Sequence, residues 1–258
     1  GTTVTSAASG GDGGTDEEPD DPTVEALLSA AAERTFTVEG LDPLVSEEHY
    51  VVDIASVDPD LLAGSWSLSI TGAVDDVTTF DYETLLGMNA EHRFVTLRCV
   101  GEPLNGEKVD TALWTGVPAT ALLEEAGVDL DSECCVMLRA ADDYYEEFPL
   151  AALEDALIAY RMNGGPLPQQ HGRPVRALVP GHWGEINVKW LTEIEILDRE
   201  QDGFWEKKGW HGTGPVNTVA KLHSVRTPGE GRVRLAGHAY AGTRGISRVE
   251  VSTDGGES

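Results

Sequence analysis

The segment AYRMNGGPLPQQHGRPVRALVPGHWGEINVKWLTEIEI (residues 159–196) carries positive charge within a strongly acidic chain. The whole chain has 45 acidic and 18 basic residues, which gives a formal net charge of −27. Between residues 164 and 192, however, Glu185 is the only acid, against two arginines, one lysine and two histidines. We call residues 164–192 the basic island. A local excess of cations needs a reason in a protein whose overall field is negative.

Two interpretations of the basic island follow from its residues. In the first, it is a pair of buried strands, and the charges are incidental. In the second, turns such as Pro180-Gly181 and Trp183-Gly184 bring backbone N–H groups and cations together, as a bound phosphate requires. The chain has no G-x-x-x-x-G-K-[ST] pattern and no complete G-x-G-x-x-G pattern, so neither common nucleotide-phosphate loop is indicated.

The composition limits the class of protein. With 258 residues, 40% of them hydrophobic, the chain is long enough for one large domain or two smaller ones. A charge this negative opposes binding to nucleic acid and to anionic membranes. No run approaches the roughly 18 apolar residues that cross a bilayer. We therefore expect a soluble segment, and because the sequence starts at Gly1, a membrane tether upstream of it is left open.

The acidity also predicts a dependence on salt. A salt-adapted source would explain it, and the alternative is an acidic secreted enzyme from an ordinary source. Because the Debye length grows from roughly 3 Å at 1 M salt to roughly 30 Å at 0.01 M, we expect the unfolding midpoint to fall as salt is withdrawn. Thermal unfolding followed by circular dichroism across that range checks this. A midpoint that does not move with salt would contradict a salt-adapted origin.

Local patterns indicate the α+β class, with mixed β-sheets and short helices. Residues 1–22 are glycine, serine, threonine and acid, and they cannot bury enough apolar surface to fold. The following chain alternates short helical and strand patterns. Helices are predicted over 23–34, 80–88 (with Thr79 as cap) and 117–128, strands over 65–74, 93–101, 133–141, 176–181 and 188–198, and a helix or helix–strand unit over 149–165.

After residue 217 the pattern changes to alternating strands with glycine-rich turns. Strands are predicted over 220–225, 231–241 and 245–256, which is how an immunoglobulin-like β-sandwich begins. Three strands are too few for an independent sandwich. Either the partner strands lie in missing sequence, or these strands pack on the preceding domain. The predicted organisation is a disordered acidic linker (1–35), a main domain (36–212) and a partial, truncated β domain (213–258).

Cys99 is the cysteine to which we assign chemistry. It lies at the end of a predicted strand beside Arg98, and a neighbouring cation favours the thiolate, the form that binds metals. A single thiolate cannot form a metal site alone, but it can complete the coordination of a metal held by a phosphate-bearing organic cofactor. Cys134 and Cys135 are interpreted as small apolar side chains rather than as a disulfide framework.

Several motifs then resemble a known family, the molybdopterin-binding domain of the sulfite oxidase family, including its bacterial periplasmic and membrane-tethered members. The likeness runs from about residue 40 to about residue 210 and continues weakly into residues 245–256. It implies a molybdenum–molybdopterin cofactor, oxygen-atom transfer, and an extracytoplasmic location with membrane anchoring through upstream sequence. The motifs are VTLRCV (95–100), WTGVP (114–118), the segment 159–196 and FWEKKGW (204–210).

The resemblance also implies roles for individual residues. In this family the cysteine at the position of Cys99 is the thiolate ligand of molybdenum. His171, Arg176 and Lys189 match positions that bind the pterin and its phosphate. The resemblance therefore implies that this phosphate is the anion bound by the basic island. Further candidates for cofactor binding are Tyr50, Asp53, Arg98, Arg173, Trp183, Gly184 and Asn187; for Arg173, a surface cation is the alternative.

Two departures from the family bear on the substrate. Sulfite oxidases carry a cluster with arginine and histidine where this chain reads HYVVDIASVDP (49–59), and Trp210 stands where they have a substrate-site tyrosine. Both changes remove groups that would hold an oxyanion, so sulfite is disfavoured and a sulfoxide is a comparable option. The alternative for Trp210 is simple packing between two β-rich regions.

The expected partners are a small sulfur-containing substrate and a separate electron-transfer protein or membrane redox partner. The chain has no C-x-x-C-H pattern for haem attachment, so electrons must be exchanged with another protein. The alternative function is a non-catalytic extracytoplasmic domain that kept the fold and lost the cofactor. The trio of Cys99, Arg176 and Lys189 argues against that alternative, because a pure scaffold does not need it.

Overall fold

The structure is a computed structural model that describes residues 21–36, 43–103, 106–131, 133–210, 214–229 and 231–257. It confirms the predicted α+β class, with mixed sheets and short helices. The α-helices are α1 (Pro22–Arg34), α2 (Tyr82–Gly87) and α3 (Ala119–Glu125). The strands are β1 (Ser67–Gly72), β2 (Thr78–Asp81), β3 (Glu91–Arg98), β4 (Val109–Pro118), β5 (Cys135–Ala140), β6 (Tyr145–Pro149), β7 (Leu157–Met162), β8 (Gly165–Pro166), β9 (Arg176–Leu178), β10 (Leu191–Leu197), β11 (Val219–Gly229) and β12 (Arg232–Tyr240).

Two five-stranded sheets form the main domain, the first mixed and the second antiparallel. The first has the order β2-β1-β10-β5-β6, and its one parallel pair joins β1 to β10, with Ser69 opposite Glu193. The second has the order β3-β4-β7-β8, and β9 pairs with β7. The main hydrophobic core takes Ile70 and Ile194 from the first sheet, Ile158 from the second and residues of α3.

The second sheet is buried on both faces, and this places the candidate site. Along β7, Ile158 belongs to the main core, whereas Leu157 and Ala159 belong to a smaller core on the other face. Successive side chains of a strand alternate between faces, so a strand covered on both sides is a continuous apolar run. The smaller core contains Trp114, and Tyr50 packs against it.

The sequence predictions and the observed elements differ at several boundaries. The helix predicted over 80–88 begins at Tyr82, and its N-cap is Asp81, whose carboxylate accepts from the Thr84 N–H at 2.7 Å; Thr79 lies in β2. Aspartate is a strong N-cap because its side-chain oxygen satisfies a free N–H of the first turn. The helix–strand alternative for 149–165 is confirmed, as a 3₁₀-helix (Leu150–Asp155) followed by β7. Strands β2, β4 and β6 were not predicted.

The C-terminal region is a hairpin rather than a three-stranded unit. Strands β11 and β12 pair with each other, but the strand predicted over 245–256 is absent from the described residues, where Val249 and Val251 are exposed. An isolated segment has no backbone partner, so an alternating pattern alone does not make a strand. The hairpin contacts the main domain, since the Tyr240 hydroxyl donates to the Thr96 carbonyl at 2.9 Å. The domain boundaries and the immunoglobulin-like continuation stay predictions.

At the other end of the chain, the predicted helix over 23–34 is present as α1. Asp21 caps it, and Val24 and Ala31 are buried. Residues 22–34 are therefore not part of a disordered linker, although the predicted linker extended to residue 35; residues 1–20 lie outside the described part. No helix within the described ranges has both the length and the apolar character needed to span a membrane.

The cysteine predictions need one correction. Cys134 and Cys135 are joined by a disulfide between adjacent residues, whereas the sequence analysis treated them as separate apolar side chains. Neighbours in the chain are close in any fold, so spacing alone does not decide whether they are bonded. Cys99 is left as the free cysteine of the three.

Candidate active site

A cavity opens beside the smaller core of the second sheet. Its walls come from segments that are distant in sequence, within 49–54, 97–101, 142–144, 170–176, 184–190 and 205–210. Convergence of polar side chains from many segments is typical of a ligand site. The predicted site residues that line it are Tyr50, Asp53, Cys99, His171, Arg176, Gly184, Asn187, Lys189 and Trp210.

Arg176 is a buried cation at the cavity. Its guanidinium lies 5.1 Å from the centroid of the Trp114 ring, and it donates to the carbonyl oxygens of His171 at 3.1 Å and Asn187 at 2.9 Å. Its Nε has no partner, and no carboxylate pairs with it in the described ranges. Burial lowers the pKa of Arg176 to about 10, so it stays charged at neutral pH. A buried charge without a counter-ion is costly unless an anion joins it.

Two buried histidines lie next to this arginine. The rings of His49 and His171 meet edge to face at 5.4 Å. Burial first, and then the charge of Arg176, lowers the pKa of His171 to about 3, and burial also lowers that of His49. Both are therefore neutral at pH 7, and His49 Nε2 has no partner among the described residues. His49 lies within the stretch 49–59 but was not predicted as a site residue.

Lys189 forms an ion pair with Asp53 in another part of the cavity wall. Its Nζ lies 2.8 Å from Asp53 Oδ2 and 3.0 Å from the Gln170 carbonyl oxygen, and both charged side chains are largely buried. Burial lowers the pKa of Lys189, and the partner carboxylate opposes that shift. Asp53 was predicted to bind the cofactor; in the structure it holds Lys189.

Asn187 and Gly184 shape the loop rather than offer free polar groups. Asn187 accepts the Val179 N–H at 2.7 Å and donates to the Trp183 carbonyl at 2.8 Å, so its amide is occupied within the protein. At Gly184 a Cβ atom would lie 3.0 Å from the Tyr50 hydroxyl, so the backbone approaches this ring closely. Burial raises the pKa of Tyr50 far above its usual range, which keeps its hydroxyl protonated.

Cys99 and Trp210 lie together at one end of the cavity. Cys99 follows the last residue of β3, and its backbone N–H donates to the Lys108 carbonyl at 3.1 Å. A Cβ on Gly101 would lie 3.3 Å from the Trp210 ring and 4.0 Å from the Cys99 sulfur, so the two side chains face the same glycine. Trp210 also packs on Trp205 with ring centroids 5.2 Å apart. The position of Trp210 agrees with a substrate-site residue, and its role in substrate choice stays a prediction.

Three predicted site residues do not line the cavity. Leu97 lines the cavity, and because successive side chains of a strand alternate between faces, Arg98 points away from it. The Arg98 guanidinium lies 5.1 Å from the centroid of the Trp183 ring. Trp183 is thereby engaged with Arg98. Arg173 forms an ion pair with exposed Asp60 at 2.7 Å, which corresponds to the surface-cation alternative. Cofactor contacts by these three residues are not supported by their positions.

The cavity wall also has an acidic side that sequence reasoning missed. Tyr144, Asp142 and Glu185 line it, and buried Glu146 lies behind Tyr144, whose hydroxyl is 3.0 Å from Glu146 Oε2. Burial raises the pKa of Asp142. No motif marks these residues. The only available signal was Glu185, the single acid of the basic island.

Comparison with known proteins assigns the chain to a family. The profile of the family described as "Oxidoreductase molybdopterin binding domain" matches residues 51–205. The chain is 28% identical over 296 residues to mitochondrial sulfite oxidase of Drosophila melanogaster, covering 92% of the chain and 51% of that protein. It is 28% identical over 305 residues to mitochondrial sulfite oxidase of Homo sapiens, covering 93% of the chain and 54% of that protein.

The chain is also similar to a nitrate reductase in sequence and to a solved structure in fold. Nitrate reductase [NADH] 1 of Arabidopsis thaliana is 27% identical over 271 residues, covering 81% of the chain and 29% of that protein. The sulfane dehydrogenase SoxCD from Paracoccus pantotrophus has a similar fold, with a TM-score of 0.56 and 20% identity over 84% of this chain and 66% of that one. The chain spans about half the length of the sulfite oxidases it matches.

Proposed function

Because this chain belongs to the sulfite oxidase family of oxidoreductase molybdopterin-binding domains, we propose that it catalyses oxygen-atom transfer to or from a small sulfur-containing substrate. The observation that carries this proposal is the cavity in which the free thiol of Cys99 lies together with the buried cations Arg176 and Lys189. We also propose that electrons are exchanged with a separate redox protein.

The residues present fit a molybdenum–molybdopterin cofactor. Arg176 is buried without a carboxylate partner and its Nε is unpaired, so a phosphate would supply the missing anion. His49 Nε2, also unpaired, offers a further polar contact. A thiolate from Cys99 is the kind of soft ligand that suits a metal already bound by sulfur.

The chain's own residues then have distinct tasks. Arg176, Lys189 and neutral His171 would hold the cofactor's phosphate and pterin, and Cys99 would bind the metal through its sulfur. Asn187 and Gly184 keep the loop in place, while Trp205 and Trp210 form the cavity wall at the Cys99 end. When bound, the cofactor would supply a metal that can accept an oxygen atom while giving up two electrons, or donate an oxygen atom while taking up two electrons.

Expression in a host that makes molybdopterin tests the proposal. We expect the purified chain to contain molybdenum and to reduce methionine sulfoxide with an artificial electron carrier. The non-catalytic alternative predicts protein without molybdenum and without turnover. Supporting the enzymatic reading, a scaffold that had lost the cofactor would have no use for the buried, unpaired charge of Arg176.

The substrate class follows from the wall near Cys99. Trp210 can donate one N–H but cannot accept a hydrogen bond, and it does not titrate near neutrality. Residues 49–54 add no cation to the cavity, while Glu185 adds an acid. A neutral sulfoxide or thioether therefore fits this end better than a dianion such as sulfite.

Trp210→Tyr should shift this preference. A tyrosine hydroxyl adds a group that can hydrogen-bond a charged oxygen, worth about 1.5 to 3 kcal/mol. We expect kcat/KM for sulfite, relative to methionine sulfoxide, to rise roughly 10- to 100-fold. Trp210→Phe, which lacks the hydroxyl, is the matched control and should not show the rise. If the wild type already turns over sulfite more efficiently than the sulfoxide, the assignment of substrate class is wrong.

The extracytoplasmic location, the membrane tether and the salt-adapted origin stay predictions. The location is supported by the resemblance to periplasmic and membrane-tethered members of the family, and the salt adaptation by the charge of −27.

A further inference from the structure

Three glutamates from three separate elements meet behind the cavity wall. Glu146 lies on β6, Glu185 in the 3₁₀-helix Gly184–Ile186, and Glu206 in the 3₁₀-helix Glu206–Lys208. Glu146 is fully buried, and the other two are partly buried. Gly203 leaves room for them, since a Cβ there would lie 1.5 Å from Glu146 Oε1. We call Glu146, Glu185 and Glu206 the carboxyl cluster.

The carboxyl cluster lacks a compensating cation. No ion pair in the described ranges involves any of its members. Among the described residues, Glu146 Oε1 and both carboxylate oxygens of Glu185 and of Glu206 have no hydrogen-bond donor. Glu206 is nevertheless a direct neighbour of Glu146, because a Cβ on Gly203 would lie 1.5 Å from Glu146 Oε1 and 2.7 Å from Glu206 Oε2. Two ionised carboxylates cannot donate to each other, so a hydrogen bond between these neighbours requires a proton on one of them.

The physical setting favours a proton on Glu146. Burial first, and then the neighbouring Glu206, raises the pKa of Glu146 to about 9. Burial and the charge of Glu206 raise the pKa of Glu185 to about 7. On the outer side, Glu200 and Asp202 act together with Glu206 to raise the pKa of Glu147, while the cation Lys207 donates to the Tyr145 hydroxyl. Like charges around a buried carboxyl oppose its ionisation.

Tyr144 connects the carboxyl cluster to the cavity. Its hydroxyl lies 3.0 Å from Glu146 Oε2 and 2.9 Å from the Glu185 carbonyl oxygen. Tyr144 and Glu185 line the same cavity as Cys99. Burial raises the pKa of Tyr144 far above its usual range, so the hydroxyl keeps its proton and can pass one along a hydrogen bond. On the outer side, Glu206 begins a turn whose next residues, Lys207 and Lys208, are exposed.

Oxygen-atom transfer requires protons at this cavity. An oxygen-bearing substrate takes up two protons and two electrons to give the deoxygenated substrate and water, and the reverse reaction releases them. The electrons come from, or go to, the redox protein of the proposed function. A row of groups that can each hold a proton would carry protons to the buried side of the cavity, away from the opening that admits the substrate.

We propose that Glu206, Glu146 and Tyr144 form a proton relay between solvent and the cavity, with Glu185 as a further proton-holding group at the cavity end. This inference rests on the proposed function. The relay residues act by delivering or removing protons and are not ligands of the cofactor. Their order follows from their positions: Glu206 and Glu146 meet beside Gly203, and Glu146 Oε2 lies 3.0 Å from the Tyr144 hydroxyl at the cavity wall.

The first test uses protein without cofactor. Infrared spectroscopy across pH should show a protonated carboxyl band that persists far above the ordinary glutamate range of about 4.3 and disappears near pH 9. Glu146→Gln should remove this band, and Glu154→Gln, which changes an exposed glutamate, should keep it. Tyr144→Phe should also keep it, because the proton resides on the cluster. A wild type without the band overturns the relay.

Stability gives a second readout that needs no cofactor. The folded state binds the Glu146 proton more tightly than the unfolded state, so stability is lost as pH rises from about 4.3 to about 9. Glutamine cannot ionise, so Glu146→Gln should unfold at a higher temperature than the wild type at pH 8, with the difference shrinking towards pH 4. Equal midpoints for the two proteins at both pH values would contradict a buried proton on Glu146.

The relay itself is tested in the molybdenum-loaded protein. We expect Glu146→Gln and Tyr144→Phe each to slow turnover on the order of 10²-fold, with an enlarged solvent isotope effect and partial rescue by small weak acids. Glu154→Gln should behave as wild type. Wild-type rates in both relay variants overturn the proposal. Absence of turnover in the loaded wild type instead overturns the proposed function, and it is seen before any variant is compared.

Discussion

Cys99→Ser is expected to abolish turnover, lowering it by at least about a thousandfold, or roughly 4 kcal/mol in activation free energy. An alkoxide is a harder ligand than a thiolate, so it would not replace the sulfur on a metal that already has sulfur ligands. The visible absorption of the loaded protein should change as well, because sulfur-to-metal charge transfer is lost. Activity and absorption of the purified variant, each normalised to its molybdenum content, check both effects.

The fold should tolerate this change. Cys99 is partly buried, and the local hydrogen bond runs from its backbone N–H to the Lys108 carbonyl, which does not depend on the side chain. The double variant Cys134→Ser/Cys135→Ser is the matched control, because those cysteines do not line the cavity. A Cys99→Ser protein with wild-type activity and absorption would show that Cys99 is not the ligand.

Arg176→Ala is expected to empty the site of cofactor. Truncating one partner of a buried charge pair costs about 2 to 5 kcal/mol, which corresponds to roughly 30- to 4000-fold in the dissociation constant. Lys189→Ala should also lower occupancy. The measurement is the molybdenum and pterin content of each purified variant.

Arg173→Ala separates a site effect from a general loss of charge. It removes the same charge from the basic island, but its partner is exposed Asp60 and it lies outside the cavity wall. It should therefore load normally. Arg176→Met, which keeps the length of the stem over Trp114, should lose cofactor without losing stability in the cofactor-free form. Full loading of Arg176→Ala and Lys189→Ala would exclude the phosphate site.

The sequence predicts the residues of the candidate site best where a motif fixes them locally. Cys99, His171, Arg176 and Lys189 all line one cavity, as the resemblance implied. The prediction from the motif fails for Arg98, because the face on which a strand residue lies depends on register, and here the side chain of Leu97 lies on the cavity side. Some residues that match a family motif therefore lie outside the cavity.

Contacts between distant segments are the part that sequence reasoning could not reach. Glu146 and Glu206 meet only because the turn containing Gly203 folds back on β6, and neither residue belongs to a recognisable pattern. Similarly, the pattern over 245–256 alternates as a strand should, but no neighbouring backbone pairs with it in the described ranges. Alternating apolar and polar residues show the preference of one segment for a strand, whereas strand pairing depends on two segments.

The parallel pairing of β1 with β10 determines when this protein can become active during its synthesis. β10 lies in the middle of the first sheet, between β1 and β5, so that sheet stays incomplete until residues 191–197 have left the ribosome. The cavity wall needs still later residues, up to Trp210. Contacts of such long range form slowly and late. The nascent chain therefore has no complete cavity until residue 210 has been made, so a cofactor that binds there would find its whole site only after almost the entire domain has been made and folded.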